Sequence, residues 1–304
     1  MIAVVGAILL ASLGFAHLAW SAREYAVKRA SDEMLVISQW WFLGAVWQSM
    51  LLAPAGLGVV LSVWAAYVVF RLVLVVGLRL LRPPEGPPLR LLLLRTFGAQ
   101  RRSELLLRRL GAHWRHLGPV QMIAGTDLVS AALDPHEFLD PLRGRLARQF
   151  IGDAGELRQR LDDLDEDPDP DGRYRVNELF CHDNAWRPVL RELARRSDCV
   201  LLDVRGFTPG HRGATYEIQQ LAQLVPLDRV LLLIDGTTDH PFLRATLDQA
   251  WQLLDPASPN RRHGSWHLLW APPTDLDVQV LVGRLASVAS TTSTGDPITR
   301  GRQT

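Results

Sequence analysis

The residues best placed to do chemistry lie between Ser197 and Ala222. A short apolar run ends at Asp203, a glycine-rich loop with Arg205 and Gly206 follows, and a helical pattern opens near Gly213 with Tyr216 and Glu217 in its first turn. A carboxylate at that point faces the ends of neighbouring strands. Breaking an N-glycosidic bond passes through an oxocarbenium-like state, and a carboxylate near the anomeric carbon can attack it or stabilise its charge. The other strand ends would complete the site: Arg95, Thr96 and Phe97, then Asp127, then Asp203 and Arg205, then Asp235 and Thr237. Arg95 or Arg205 could hold a phosphate through paired N–H donors. The competing explanation is purely structural: Glu217 complements its helix dipole, and the acids at the strand ends cap helices.

The stretch from Gly213 to Ile218 resembles the nucleoside 2-deoxyribosyltransferases, which follow a strand with a glycine-containing loop and a G-T-x-x-E-hydrophobic-G helix start. It is also similar in layout to TIR domains, some of which cleave NAD with a helix-borne Glu. The resemblance makes Gly213 the loop glycine, Tyr216 the aromatic before the acid, and Glu217 the catalytic carboxylate. It makes Leu91–Gly98 the first strand and turn, and 125–127 the turn after the second strand. It implies NAD or another nucleotide as substrate, no bound cofactor, and a second copy of the chain as a partner. Where the transferases carry Gly after the hydrophobic residue, this chain carries Gln219. That difference keeps open a non-catalytic module that binds a nucleotide or a like domain.

Composition removes several other chemistries. Of 33 basic residues, Lys28 is the single lysine, so residues 83–304 contain none. This excludes a Walker-type phosphate loop, a kinase-type phosphate-binding lysine and Schiff-base catalysis there. The same residues count 27 basic against 29 acidic side chains, which is no general nucleic-acid footprint. Cys181 and Cys199 make neither a disulfide framework nor a metal pair at ligand spacing, so no metal is expected. Residues Asp167–Glu178 match the calcium-loop pattern D-x-D-x-D-G-x5-E. Pro168 and Pro170 oppose the curl that loop needs, and Arg173 and Arg175 oppose the charge. A solvated acidic connector is therefore the expectation.

The elements that must position these residues form an α/β pattern. Candidate strands at 89–95, 120–124, 199–204, 230–235 and 265–270 are continuously apolar, as strands buried on both faces are. Helices are expected at 101–117, from Asp134 to about 149 with a kink at Pro141, and at 185–196, 214–224, 241–254 and 276–288. Five parallel strands with covering helices make a doubly wound sheet, flavodoxin- or TIR-like on the resemblance, over 89–288. Its ligand belongs at the carboxyl ends of the strands. The polar tail 289–304 is expected to be disordered.

The first 82 residues differ in kind. They hold nine charged side chains, and the runs 2–20 and 34–70 hold none. A bilayer core of about 30 Å takes about 20 helical residues, so three crossings are expected, at about 2–20, 34–53 and 56–78. A Pro-rich linker, 83–88, follows. Arg23, Lys28 and Arg29 fill the first loop, Arg79, Arg82 and Arg90 follow the third helix, and the turn at 53–56 has no basic residue. Positive-inside places the N-terminus outside the cytoplasmic membrane and the α/β part in the cytoplasm, with the lipid bilayer as a partner. Arg71 is expected to snorkel toward the cytoplasmic surface.

Overall fold

The computed structural model describes residues 2–28, 30–81, 87–95, 100–124, 151, 154–182, 185–262, 264–271 and 277–290. The chain divides into two compact units: Met1–Gly86 with Asp167–Arg173, and Pro87–Glu166 with Tyr174–Thr304.

The first unit contains α1 (Ile2–Ala26), α2 (Asp32–Leu52) and α3 (Leu57–Leu81). Ser31 caps α2 by accepting from the Met34 amide, and Asp32 and Glu33 place negative charge in its first turn. A 3-10 turn, Ala53–Ala55, ends at Gly56, whose φ of +107° suits glycine and lets α3 reverse direction. Among the described residues two helical spans, Asp32–Ala55 and Leu57–Leu78, are long and apolar enough to cross a membrane.

The calcium-loop pattern straddles the division between the units. Asp169 is fully buried, not solvated, with its Oδ1 3.4 Å from Lys28 Nζ, and the same ammonium donates to the Asp167 carbonyl at 2.7 Å. Glu178, the twelfth position of the pattern, lies in a strand beside Met122. Among the described residues no cluster of three or more His, Cys, Asp or Glu could hold a metal.

The second unit is an α/β fold around a parallel sheet. Its strands are β1 (Leu91–Arg95), β2 (Val120–Ala124), β3 (Val176–Phe180), β4 (Cys199–Asp203), β5 (Val230–Ile234) and β6 (His267–Trp270), in the order β3-β2-β1-β4-β5-β6. Six strands therefore stand where the sequence predicts five. The five expected strands keep the order of a flavodoxin-like sheet, and β3 extends the β2 edge to the order of dinucleotide-binding sheets. The sequence hides β3 because Asn177 and Glu178 interrupt its apolar pattern, and only Leu179 and Phe180 are buried.

Helices cover both faces. On one face α5 (Ala154–Asp162), α6 (Trp186–Arg196), α7 (Arg212–Leu224) and α8 (His240–Gln252) pack against Leu92, Leu94, Val200, Leu202, Val230 and Leu232. On the other, α4 (Gln100–Trp114) and α9 (Val278–Ser290) pack against Leu91, Leu93, Leu201, Leu231 and Leu233. Alternate side chains of each central strand thus enter opposite cores, which is why these strands read as unbroken apolar runs. The expected helix from Asp134 and the tail beyond Ser290 lie outside the described residues.

Candidate functional site

The strand order reverses between β1 and β4, the point where a doubly wound sheet opens a crevice at its carboxyl edge. Arg95 and Asp203 end these two strands and are register partners. Asp203 is buried, and Arg205 closes on it as a fork: Nε donates to Oδ1 at 2.8 Å and Nη2 to Oδ2 at 2.6 Å. The Arg205 amide also donates to Oδ1, at 3.2 Å. This bonding to Asp203, with further attraction from Asp235, raises the Arg205 pKa above its ordinary value. The bidentate geometry that the sequence reading reserves for a phosphate is thus used on a neighbouring carboxylate.

The loops after β4 and β5 are tied together. Gly206, at φ +74°, makes the turn after Arg205, and a β-carbon there would stand 3.7 Å from Thr237 Oγ1. The Thr237 amide and hydroxyl donate to Asp235 Oδ1 at 2.9 and 2.5 Å. Thr238 donates from its hydroxyl to the Val204 carbonyl at 3.0 Å. The Asp239 amide donates to the Phe207 carbonyl at 2.9 Å, while the Asp239 carboxylate caps α8 by accepting from the Phe242 amide at 3.0 Å. The structure therefore gathers Arg95, Asp203, Arg205, Gly206, Asp235 and Thr237 at the carboxyl ends of β1, β4 and β5. Thr96, Phe97 and Asp127 lie outside the described residues.

Glu217 and Tyr216 stand elsewhere. Helix α7 begins at Arg212, so Glu217 is in its second turn, about 7.5 Å along the axis at 1.5 Å per residue. It shares the inward stripe with Ala214, Ile218, Leu221 and Ala222, and is itself buried. A second-turn position removes the helix-dipole explanation, which acts only within the first turn. Glu217 Oε2 is buried without a hydrogen-bond partner, and desolvation pushes the carboxyl up to about 8. Tyr216 turns toward α6: its hydroxyl accepts from Arg191 Nη2 at 2.9 Å, and its ring meets Trp186 edge-on at 5.2 Å. The Arg187 guanidinium lies 5.0 Å from the Tyr216 ring centre. Gly213 is the second residue of α7, at the rim of the loop.

The two cysteines are buried, and burial pushes the Cys181 thiol up to about 12 and the Cys199 thiol upward as well, which leaves both as inert thiols. The sequence reading missed the role of Asn260. Its side chain is buried at the end of α7, donating to the Ala222 and Val225 carbonyls at 2.7 Å each and accepting from the Leu227 amide at 2.8 Å. The one signal for it in the sequence is an Asn in a Ser-Pro-Asn turn after α8.

No protein-family model matches the chain, and no curated protein matches it.

Proposed function

We propose that the chain is a membrane-anchored signalling module whose α/β unit, on the cytoplasmic side, binds a nucleotide-like ligand at the crevice between β1 and β4. The membrane reading takes three crossings with the N-terminus outside. It rests on the two apolar spans, the uncharged run ahead of them and the basic residues of the cytoplasmic loops. The observation that carries the ligand reading is the reversal of strand order at β1 and β4, with Arg95 opposite Asp203 at the open end. Arg95 there suits a phosphate oxygen, since Arg205 is engaged with Asp203, while Asp235 and Thr237 suit ribose hydroxyls. No step of chemistry is required of this site.

Glu217 favours a second reading, cleavage of NAD or another N-glycoside by a TIR-like domain. A buried carboxyl with an unpartnered oxygen is the kind of group that waits for a reacting centre. The bond from the anomeric carbon to the base nitrogen would break, the base leaving with the electron pair. The Glu217 carboxylate would stabilise the ribosyl cation, and water would then add to it. Because this carboxyl sits at about 8, turnover through it would rise with pH across that value.

One experiment separates the readings. The full chain in membranes is incubated with NAD and a panel of nucleotides, and both the retained and the released molecules are identified by mass spectrometry. Retention of an intact nucleotide, lost in Arg95→Ala, supports the binding module. Release of a free base, abolished in Glu217→Gln, supports the glycosidase. Neither retention nor release with any nucleotide refutes both.

A further inference from the structure

The three helices of the membrane unit share a polar cluster where the bilayer reading leaves little water. In the tautomer that donates from Nδ1, His17 of α1 bonds Gln39 Oε1 of α2 at 3.1 Å and accepts from the Tyr67 hydroxyl of α3 at 2.7 Å. Its ring stacks on Phe42 with centroids 3.9 Å apart. Ser38, fully buried on α2, lies 3.5 Å from the Tyr67 hydroxyl and accepts a hydrogen bond from Arg71 Nη1, one turn along α3. The Arg71 guanidinium also covers the Trp20 ring of α1 at 4.6 Å.

Every partner of Arg71 in this cluster is neutral. The runs 2–20 and 34–70 contain no Asp or Glu, and among the described residues no carboxylate pairs with Arg71. Ser38 and Trp20 orient the guanidinium but leave its charge uncompensated, and a lone cation in a helix bundle is costly. Snorkelling along α3 brings the guanidinium to the depth of Trp20, and Ser38 and Trp20 hold it there.

The cluster reaches the surface of the helix bundle at Trp20. Trp20 remains 44% exposed, and Arg23, on the same face of α1 three residues on, is exposed with no partner among the described residues. Arg23 lies about 4.5 Å closer to the cytoplasm than Trp20 at 1.5 Å per residue. Arg71 on the Trp20 ring, with Arg23 one turn further along α1, offers one phosphate two arginines from different helices. Arginine forks match its oxygens, basic pockets between transmembrane helices on the cytoplasmic side collect acidic headgroups, and Trp favours that depth. Set against Glu24, the carboxylate next to Arg23, the two arginines still leave a net positive charge, which selects a headgroup of net negative charge over one that carries its own cation.

We infer that Trp20, Arg23, Ser38 and Arg71 form a binding site for the phosphate of an anionic phospholipid in the cytoplasmic leaflet. The inference rests on the membrane-anchored reading above. The full chain is reconstituted in nanodiscs of phosphatidylcholine alone or mixed with phosphatidylglycerol. Thermal stability and co-purifying lipid are then measured for the wild type, Arg23→Gln, Arg71→Gln and Arg71→Lys. Phosphatidylglycerol should be retained selectively and should raise the melting temperature. Each Gln variant should weaken retention about tenfold, the effect of one lost charge-assisted hydrogen bond, and Arg71→Lys should fall between. If Arg71→Gln fails to fold, Arg23→Gln decides, because that side chain supports no packing. Equal retention of both lipids, or unchanged retention in Arg23→Gln, overturns the site. Inorganic phosphate added to phosphatidylcholine nanodiscs, if it reproduces the stabilisation, overturns the lipid assignment in favour of a soluble phosphate ligand. A chain released from membranes by alkaline carbonate refutes the anchored reading itself. A chain that stays embedded but is indifferent to phosphatidylglycerol refutes only this inference.

Discussion

Replacing Glu217 tests the central geometry of the α/β unit without any ligand. In the fold its carboxyl sits at about 8 against 4.5 for the free group, and the cause is desolvation alone. The native state therefore binds a proton that the unfolded chain has already released between those values, and stability falls as pH rises. Below pH 4.5 there is no cost. At pH 7 the loss is about 3 kcal/mol, and above pH 8 it approaches about 5 kcal/mol, at 1.36 kcal/mol for each pH unit between the two values. Glu217→Gln does not titrate. Wild-type and variant melting temperatures, measured on the full chain in detergent at matched pH, should run together near pH 4.5 and then diverge. The wild type should fall behind by about 10 to 15 °C by pH 8, taking roughly 2 to 4 °C per kcal/mol for a domain of this size. Taking the difference at each pH cancels every other titrating group. Parallel curves for the two proteins would refute the reasoning, since they would mean that Glu217 meets water or a cation in the folded chain. A wild type that gains on the variant as pH rises would mean that the carboxylate is charged and paired at neutral pH, as a working nucleophile requires.

Three further outcomes are expected. Arg205→Ala strands the Asp203 carboxylate, whose side chain is 4% exposed, and should destabilise the chain by about 3 kcal/mol; in denaturant titrations the double variant with Asp203→Ala should lose less than the sum of the two single changes. Asn260→Leu keeps the volume but takes the partner from the Leu227 amide and the Val225 carbonyl, so the unfolding midpoint should drop by the equivalent of about 3 kcal/mol, and a drop under about 1 kcal/mol would mean that water replaces the amide. Reporters active only in the cytoplasm, fused at residue 304 and inserted near residue 28, should both be active, and silence at residue 304 would overturn the orientation.

What was legible in the sequence follows from what each element buries. β1, β2, β4 and β5 lie inside the sheet, so nearly every residue in them is apolar, and β6 is carried by the same signal at the edge. β3 is the other edge, and its Val-Asn-Glu-Leu-Phe is buried only at its last two residues, with Val176 packing partly buried and the polar Asn177 and Glu178 between them; it reads as the end of the acidic connector. The same locality explains the polar cluster at His17, Ser38, Gln39, Tyr67 and Arg71. They are isolated polar positions in apolar helices, Ser38 and Gln39 being one adjacent pair, and only the packing of three helices brings them together.

The separation of Glu217 from the strand-end charges has one structural origin, and order along the chain does not reveal it. Strand, loop and helix follow one another at 199–217, which suggests that Asp203, Arg205 and Glu217 converge. Side chains alternate across a strand, however, and Arg95 and Asp203 have the same parity as Leu93 and Leu201, which enter the core under α4 and α9. Helix α7 returns over the opposite face, against Leu202 and Val204, and carries Glu217 inward there. The carboxyl and the Arg205–Asp203 pair therefore flank the end of β4 from its two sides, and they can act on one ligand only if it straddles the loop at 204–211. Binding at the β1–β4 crevice asks nothing of Glu217, and this independence is the physical ground for placing the binding reading ahead of the catalytic one.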